Sequence, residues 1–126
     1  MRGLFFIVFF CIVLGLFNIA FNPNKLLIIE RINFDKFEHG AFILVDARNQ
    51  DDFESGHISG ALNLNEDGFD VQIGNLLDVW SPEKSVAVYC NPSNCDSSAK
   101  IARRLKHDYG IEKVFVLDGD WRKWKK

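Results

Sequence analysis

Apolar positions recur along this chain in three rhythms, and each predicts a different kind of element. From Gly3 to Phe21 the chain is apolar with Asn18 as its only strongly polar side chain, a run about as long as the hydrocarbon core of a bilayer requires. Further on, Ala41-Phe42-Ile43-Leu44-Val45 and Ser85-Val86-Ala87-Val88-Tyr89 are short continuous runs, the mark of strands covered on both faces. Leu26 to Ile29, Ala61 to Leu64 and Lys113 to Leu117 suit further strands. Helical spacing takes over between them. Val71, Ile73, Leu76, Leu77 and Trp80 predict a helix over 70–80, while Ile101, Ala102, Leu105 and Tyr109 share one face of a helix that Gly110 stops. Asp35 to Gly40 and Asp51 to Ser55 read as brief helical turns, and Gly56-His57-Ile58-Ser59-Gly60 as a tight connection. Strands alternating with helices, without an Asn-Gly hairpin signal, predict an α/β fold: a parallel sheet with helices on both faces.

The change of rhythm divides the chain in two. Asn22-Pro23-Asn24 is a turn-forming hinge, so residues 1–22 stand as an N-terminal membrane segment and residues 23–126 as one domain of ordinary size. Composition changes this picture only by its distribution: 48% of the 126 residues are hydrophobic at a net charge of −2, and the apolar share is concentrated at the start. A secretory signal is the rival reading, because Arg2 supplies a positive start to the apolar run. The run is longer than a usual signal core, and Asn18-Ile19-Ala20-Phe21-Asn22 offers a peptidase no convincing pair of small residues. Both points favour an uncleaved transmembrane helix through residues 3–21, making the protein single-pass. Arg2 and the terminal amine flank one end, against Lys25 and then Arg31 among Glu30 and Asp35 at the other. That asymmetry favours a cytoplasmic amino terminus and, in a bacterium, a periplasmic domain, where disulfides persist. Cys11 lies within the run without a lipoprotein signal around it and reads as an apolar residue.

Candidate chemistry gathers between the strand at 85–89 and the helix that Gly110 stops. The intervening loop is Cys90-Asn91-Pro92-Ser93-Asn94-Cys95-Asp96-Ser97-Ser98. A cysteine that closes a buried strand and precedes a helix sits where backbone N–H groups converge and a helix's positive end holds a thiolate or an anion. Ligands of parallel sheets also bind at the carboxyl ends of strands. The chain has no Gly-rich phosphate loop, no zinc-type cluster of Cys and His, and no aromatic-studded basic stripe for nucleic acid. No metal and no organic cofactor is indicated.

Four stretches carry a family resemblance. Val45-Asp46-Ala47-Arg48, the segment from Phe53 to Leu64 around Gly56-His57-Ile58-Ser59-Gly60-Ala61, Val88-Tyr89-Cys90, and Val116-Leu117-Asp118-Gly119-Asp120-Trp121 follow the order and rough spacing of landmarks in a rhodanese-like domain. Residues 26–124 resemble that family, which implies a rhodanese-like domain over residues 23–126. The resemblance implies a five-stranded parallel sheet and an active Cys90 carrying sulfane sulfur as a persulfide. Cys90 would take sulfur from a donor such as thiosulfate and pass it to cyanide or to a thiol, including a thiol on another protein. Many family members close this loop with an arginine before a serine. Here no Arg, Lys or His stands between Cys90 and Ser98, and matching Ser98 to the family's serine makes the loop about two residues longer. Without the guanidinium fork that binds oxyanions, a phosphatase reading loses its basis and efficient use of thiosulfate becomes doubtful.

The loop instead resembles a rhodanese subgroup with a second cysteine five positions after the first, here Cys95. Cys95 either resolves the persulfide on Cys90, or shields that thiol from overoxidation, or fills space at a helix start. Three function classes stay open: a sulfurtransferase or sulfur carrier, a thiol–disulfide module of Cys90 and Cys95, and a binding module that keeps the fold without turnover. The reading favoured here is the first. Asp46, Arg48 and Glu54 are expected to form an ion-pair and hydrogen-bond cluster at a strand end, and His57 to fix its turn by bonding backbone. Trp121 and Trp124 are expected to pack on the sheet. Lys100, Arg103, Arg104, Lys106 and His107 form the polar face of the last helix, and Arg122, Lys123, Lys125 and Lys126 a solvated basic tail.

Overall fold

The apolar run at 85–89 becomes the middle strand of a five-stranded, all-parallel sheet. A computed structural model describes residues 29–91 and 96–123 of the chain. Its strands are β1 (Glu30–Asn33), β2 (Phe42–Asp46), β3 (Leu62–Asn63), β4 (Ser85–Tyr89) and β5 (Val114–Asp118), in the order β1-β5-β4-β2-β3. The helices are α1 (Gln50–Ser55), α2 (Phe69–Val79) and α3 (Asp96–Tyr109). Three short 3-10 turns, at Phe34–Lys36, His39–Ala41 and Trp121–Lys123, complete the described elements.

Val86, Ala87, Val88 and Tyr89 are wholly buried, as a strand paired on both edges and covered on both faces must be. Alternation then sends successive side chains to opposite layers. Val86, Val88 and the following Cys90 join a core with Phe69, Ile73 and Leu76 of α2 and Ile101, Ala102 and Leu105 of α3. Ala87 and Tyr89 join another with Phe34, Phe37, Leu44, Ile58, Ala61 and Leu117. The two long helices therefore lie in the first layer. The second is built from short 3-10 turns and aromatic rings, which is how the expected helical cover on both faces is realised here. Phe34 meets Tyr89 edge-on at 6.2 Å, and Trp121 meets Tyr89 at 5.9 Å.

The first strand differs from expectation. It spans Glu30–Asn33 instead of Leu26 to Ile29, of which 26–28 lie outside the described residues. β1 is an edge strand paired to β5 alone, Glu30 opposite Phe115 through Asn33 opposite Asp118. One face and one edge are open, so charged residues fit, and Arg31 donates to Asp118 across the pair at 2.8 Å. The remaining strands and helices fall within one or two residues of their predicted places. Among the described residues no helix is long and apolar enough to cross a membrane. The predicted membrane segment, residues 1–22, lies outside them.

Candidate active site

β2 and β4 run in register so that Asp46 ends one strand beside Tyr89 at the end of the other, and the Ala47 N–H donates to the Tyr89 carbonyl at 2.9 Å. The strand ends thus deliver a carboxylate and, one residue later, the thiol of Cys90 to neighbouring places on the carboxyl edge. Asp46 is completely buried, and its charge is met in full. Its Oδ1 accepts from the Arg48 backbone N–H at 2.9 Å, and its Oδ2 from Arg48 Nη2 at 2.8 Å. Arg48 Nε donates to the same carboxylate at 3.1 Å, and Nη2 also donates to the Gly56 carbonyl at 2.5 Å. The guanidinium lies 4.3 Å from the centre of the Trp121 ring. Burial works against the Arg48 charge, but the hydrogen bond and charge of Asp46 outweigh it and hold its pKa above the ordinary value.

Side chains of neighbouring loops brace this pair. Asn63 Nδ2 donates to the carbonyls of Asp46 (3.0 Å) and Arg48 (2.8 Å), and Asn63 Oδ1 accepts from Asn65 and Gln72. Asn65 Oδ1 accepts from the Gly68 N–H at 2.7 Å, fixing the β3–α2 loop that carries Glu66 and Asp67. On the opposite layer the Tyr89 hydroxyl accepts from the Ile58 N–H at 3.1 Å. Burial raises the Tyr89 phenol well above its ordinary pKa, the Ile58 bond opposing and nearby Asp46 reinforcing the shift.

Cys90 is only 3% exposed, yet it forms part of the wall of a cavity of about 200 Å³. Its Sγ lies 3.3 Å from Ser98 Oγ and 3.4 Å from the Asn91 carbonyl oxygen. Ser98 is fully buried in the first turn of α3, so the sulfur rests against the amino end of a fourteen-residue helix. A hydroxyl at this distance can turn its proton toward a thiolate, and the helix end adds a favourable dipole. Asn91 and Ser97 line the same cavity, together with Arg48, Asp52, Glu66 and Asp67.

The sequence-predicted residues divide accordingly. Cys90, Asn91, Ser97 and Ser98 come together; Asp96 is exposed at the start of α3; Pro92, Ser93, Asn94 and Cys95 lie outside the described residues. Asp46 and Arg48 form the expected pair, but Glu54 stands apart from it. Glu54 is exposed, accepts from Gln50 Nε2 one helical turn back at 3.0 Å, and lines a separate cavity of about 580 Å³ with Phe53, Leu62 and Val71. His57 Nδ1 lies 2.7 Å from the Phe53 carbonyl oxygen, and its ring stacks on Phe53 at 3.7 Å, a turn-fixing arrangement away from Cys90's cavity. Trp121 packs as expected, whereas Trp124 lies outside the described residues. Sequence reasoning missed Asp52, Glu66 and Asp67. Their one signal was position, on segments that follow β2 and β3 at the ligand-binding edge of the sheet. Among the described residues no cluster of His, Cys, Asp and Glu is arranged to hold a metal ion.

The fold and the site define an α/β domain with a cysteine set at the carboxyl edge of its central strand. Comparison with known proteins makes that class specific. Residues 33–126 match the rhodanese-like domain, and the chain belongs to that family. It is 31% identical over 83 residues to thiosulfate sulfurtransferase GlpE of Coxiella burnetii, covering 66% of this chain and 71% of that protein. The crystal structure of BH2092 protein from Bacillus halodurans superposes with a TM-score of 0.58 at 26% identity, over 82% of both chains. The fold is also that of the single domain sulfurtransferase RDL2 of Saccharomyces cerevisiae, at TM-score 0.56 and 17% identity over 77% of this chain and 89% of that one.

Proposed function

We propose that this protein is a sulfurtransferase or sulfur carrier that holds sulfane sulfur as a persulfide on Cys90. The observation that carries this reading is the position of Cys90 Sγ, in the wall of a cavity and 3.3 Å from a buried hydroxyl at a helix's amino end. A cysteine sealed inside the core would have packing value alone. The name borne by the Coxiella burnetii relative points to the same chemistry. In the first step the Cys90 thiolate attacks the outer sulfur of the donor, an S–S bond forms, and the donor's own S–S bond breaks with its electron pair leaving on the carrier. In the second, an acceptor thiolate attacks that outer sulfur and returns Cys90 as thiolate.

Cys95 belongs to the proposal as a resolving thiol on the strength of its sequence spacing from Cys90. Residues 1–22 belong to it as an uncleaved membrane anchor, with the domain on the periplasmic side. The test is intact-mass measurement of the full chain after exposure to thiosulfate and to small persulfides. One added sulfur that Cys90→Ser cannot acquire supports the reading. A loss of two hydrogens joining Cys90 to Cys95, with no sulfur gained from any donor, would replace it with the thiol–disulfide module. Membrane fractionation of cells expressing the chain tests the anchor, which a freely soluble full-length protein excludes.

A further inference from the structure

We propose that the Cys90 cavity selects its sulfur donors by charge, taking persulfides on uncharged or cationic carriers in preference to thiosulfate and other small anions. The inference rests on the sulfur-transfer reading and names the substrate class for that site. Its basis is the charge lining the approach to Sγ. Asp52 reaches the cavity from α1, and Glu66 and Asp67 from the β3–α2 loop. Arg48 is the one cation in the lining among the described residues, and its charge is matched by the fully buried Asp46 at 2.8 Å, with Nε and Nη2 already donating to protein acceptors. Glu66 faces Lys100 at 3.7 Å, an open pair with side chains 48% and 62% exposed, which solvent screens.

A thiosulfate dianion approaching Sγ therefore meets a lining in which the three carboxylates of Asp52, Glu66 and Asp67 outnumber the guanidinium of Arg48. A narrow cleft in which one sign of charge predominates focuses that field. The cavity of about 200 Å³ is sized for the sulfur-bearing end of a small carrier. With a persulfide R–S–SH, the Cys90 thiolate attacks the terminal sulfur, the donor's S–S bond breaks, and RS⁻ departs with the electron pair. The products are Cys90–S–SH and a thiolate, so charge and atoms balance without an oxidant. An ammonium on R is attracted throughout this exchange; a carboxylate or a sulfonate-like group is repelled.

The experiment follows sulfur loading of Cys90 in the full chain by quenched intact-mass measurement. The donors are the persulfides of cysteamine, 2-mercaptoethanol and 3-mercaptopropionate, with thiosulfate as the dianion. The comparison protein is the Asp52→Asn, Glu66→Gln, Asp67→Asn triple variant, whose changes fall on exposed or half-exposed side chains. At low salt the cysteamine persulfide should load at least about tenfold faster than the 3-mercaptopropionate persulfide. That ratio should fall at least threefold in the variant, and likewise in the parent when salt is raised. Comparing this ratio between parent and variant, and between low and high salt, cancels the different leaving abilities of the thiols. An unchanged ratio in the variant, or thiosulfate loading as fast as the cysteamine persulfide, overturns the proposal. Should the variant fail to fold, a ratio in the parent that ignores salt overturns it equally. Failure of every donor to load Cys90 instead defeats the sulfur-transfer reading itself.

Discussion

Asp46 and Cys90 leave neighbouring strands on the same edge of the sheet, both almost without solvent exposure, yet their surroundings differ in kind. Around Asp46 both carboxylate oxygens are met by Arg48, which in turn is tied to Gly56 and covered by Trp121. Cys90 Sγ has Ser98 Oγ and the Asn91 carbonyl oxygen among its neighbours, and the residue lines a cavity. The contrast separates two uses of buried polarity. A carboxylate tied on both oxygens holds loops in place, while a thiol in the wall of a cavity is placed to exchange bonds.

Breaking each member in turn should produce opposite failures. Arg48→Ala leaves a buried carboxylate without its partner and should lower stability by about 3–5 kcal/mol, read from the urea unfolding midpoint. Arg48→Lys should recover part of that loss only, because an ammonium cannot reproduce the bidentate contact or the stacking on Trp121. Cys90→Ser should abolish sulfur loading while costing about 1 kcal/mol or less in the same unfolding experiment, since it replaces one small polar side chain by another. If Arg48→Ala unfolds no more easily than Cys90→Ser, the division between a structural and a chemical site falls.

A finer cut concerns Ser98, whose hydroxyl lies 3.3 Å from the sulfur. A hydrogen bond of about 0.5–1.5 kcal/mol from Ser98 favours thiolate over thiol, so Ser98→Ala should slow iodoacetamide alkylation of Cys90 at neutral pH by about 2- to 10-fold. Alkylation at an unchanged rate would show that the hydroxyl does not act on the sulfur. The smallest effect lies on the opposite layer at Tyr89. Because its phenol is raised above its ordinary value of 10.0, the associated stability is complete below about pH 10. It declines as the pH climbs toward the raised folded value, since only the unfolded chain readily gives up the proton. In a Tyr109→Phe background, phenolate absorbance at 295 nm should therefore appear together with alkaline unfolding and not before it.

The same contrast explains how much the sequence discloses. β4 is legible because a strand buried on both faces must be continuously apolar, and Cys90 is legible because it follows that strand directly. β1 is not. At an edge, pairing to β5 requires no apolar run, so Leu26 to Ile29 draws attention away from Glu30-Arg31-Ile32-Asn33. The Asp46–Arg48 pair can be read locally, two residues apart after a strand. Glu54 misleads because a short helix points it along its own axis to Gln50. Asp52, Glu66 and Asp67 look like ordinary surface acids until the parallel crossovers bring α1 and the β3–α2 loop to the mouth beside Cys90. Sequence patterns report burial well, and report poorly which solvent-facing side chains become neighbours.

The backbone just before Cys90 is pinned on both sides, by the strand pairs of β4 and by the Ala47 N–H on the Tyr89 carbonyl. The thiol therefore has no swinging arm. Adding one sulfur extends its reach by a single bond of about 2 Å. On the proposed sulfur-transfer reading, a macromolecular recipient would present its own thiol on a slender projection that enters the recess, and a thiol sunk in a flat or concave surface would stay out of range.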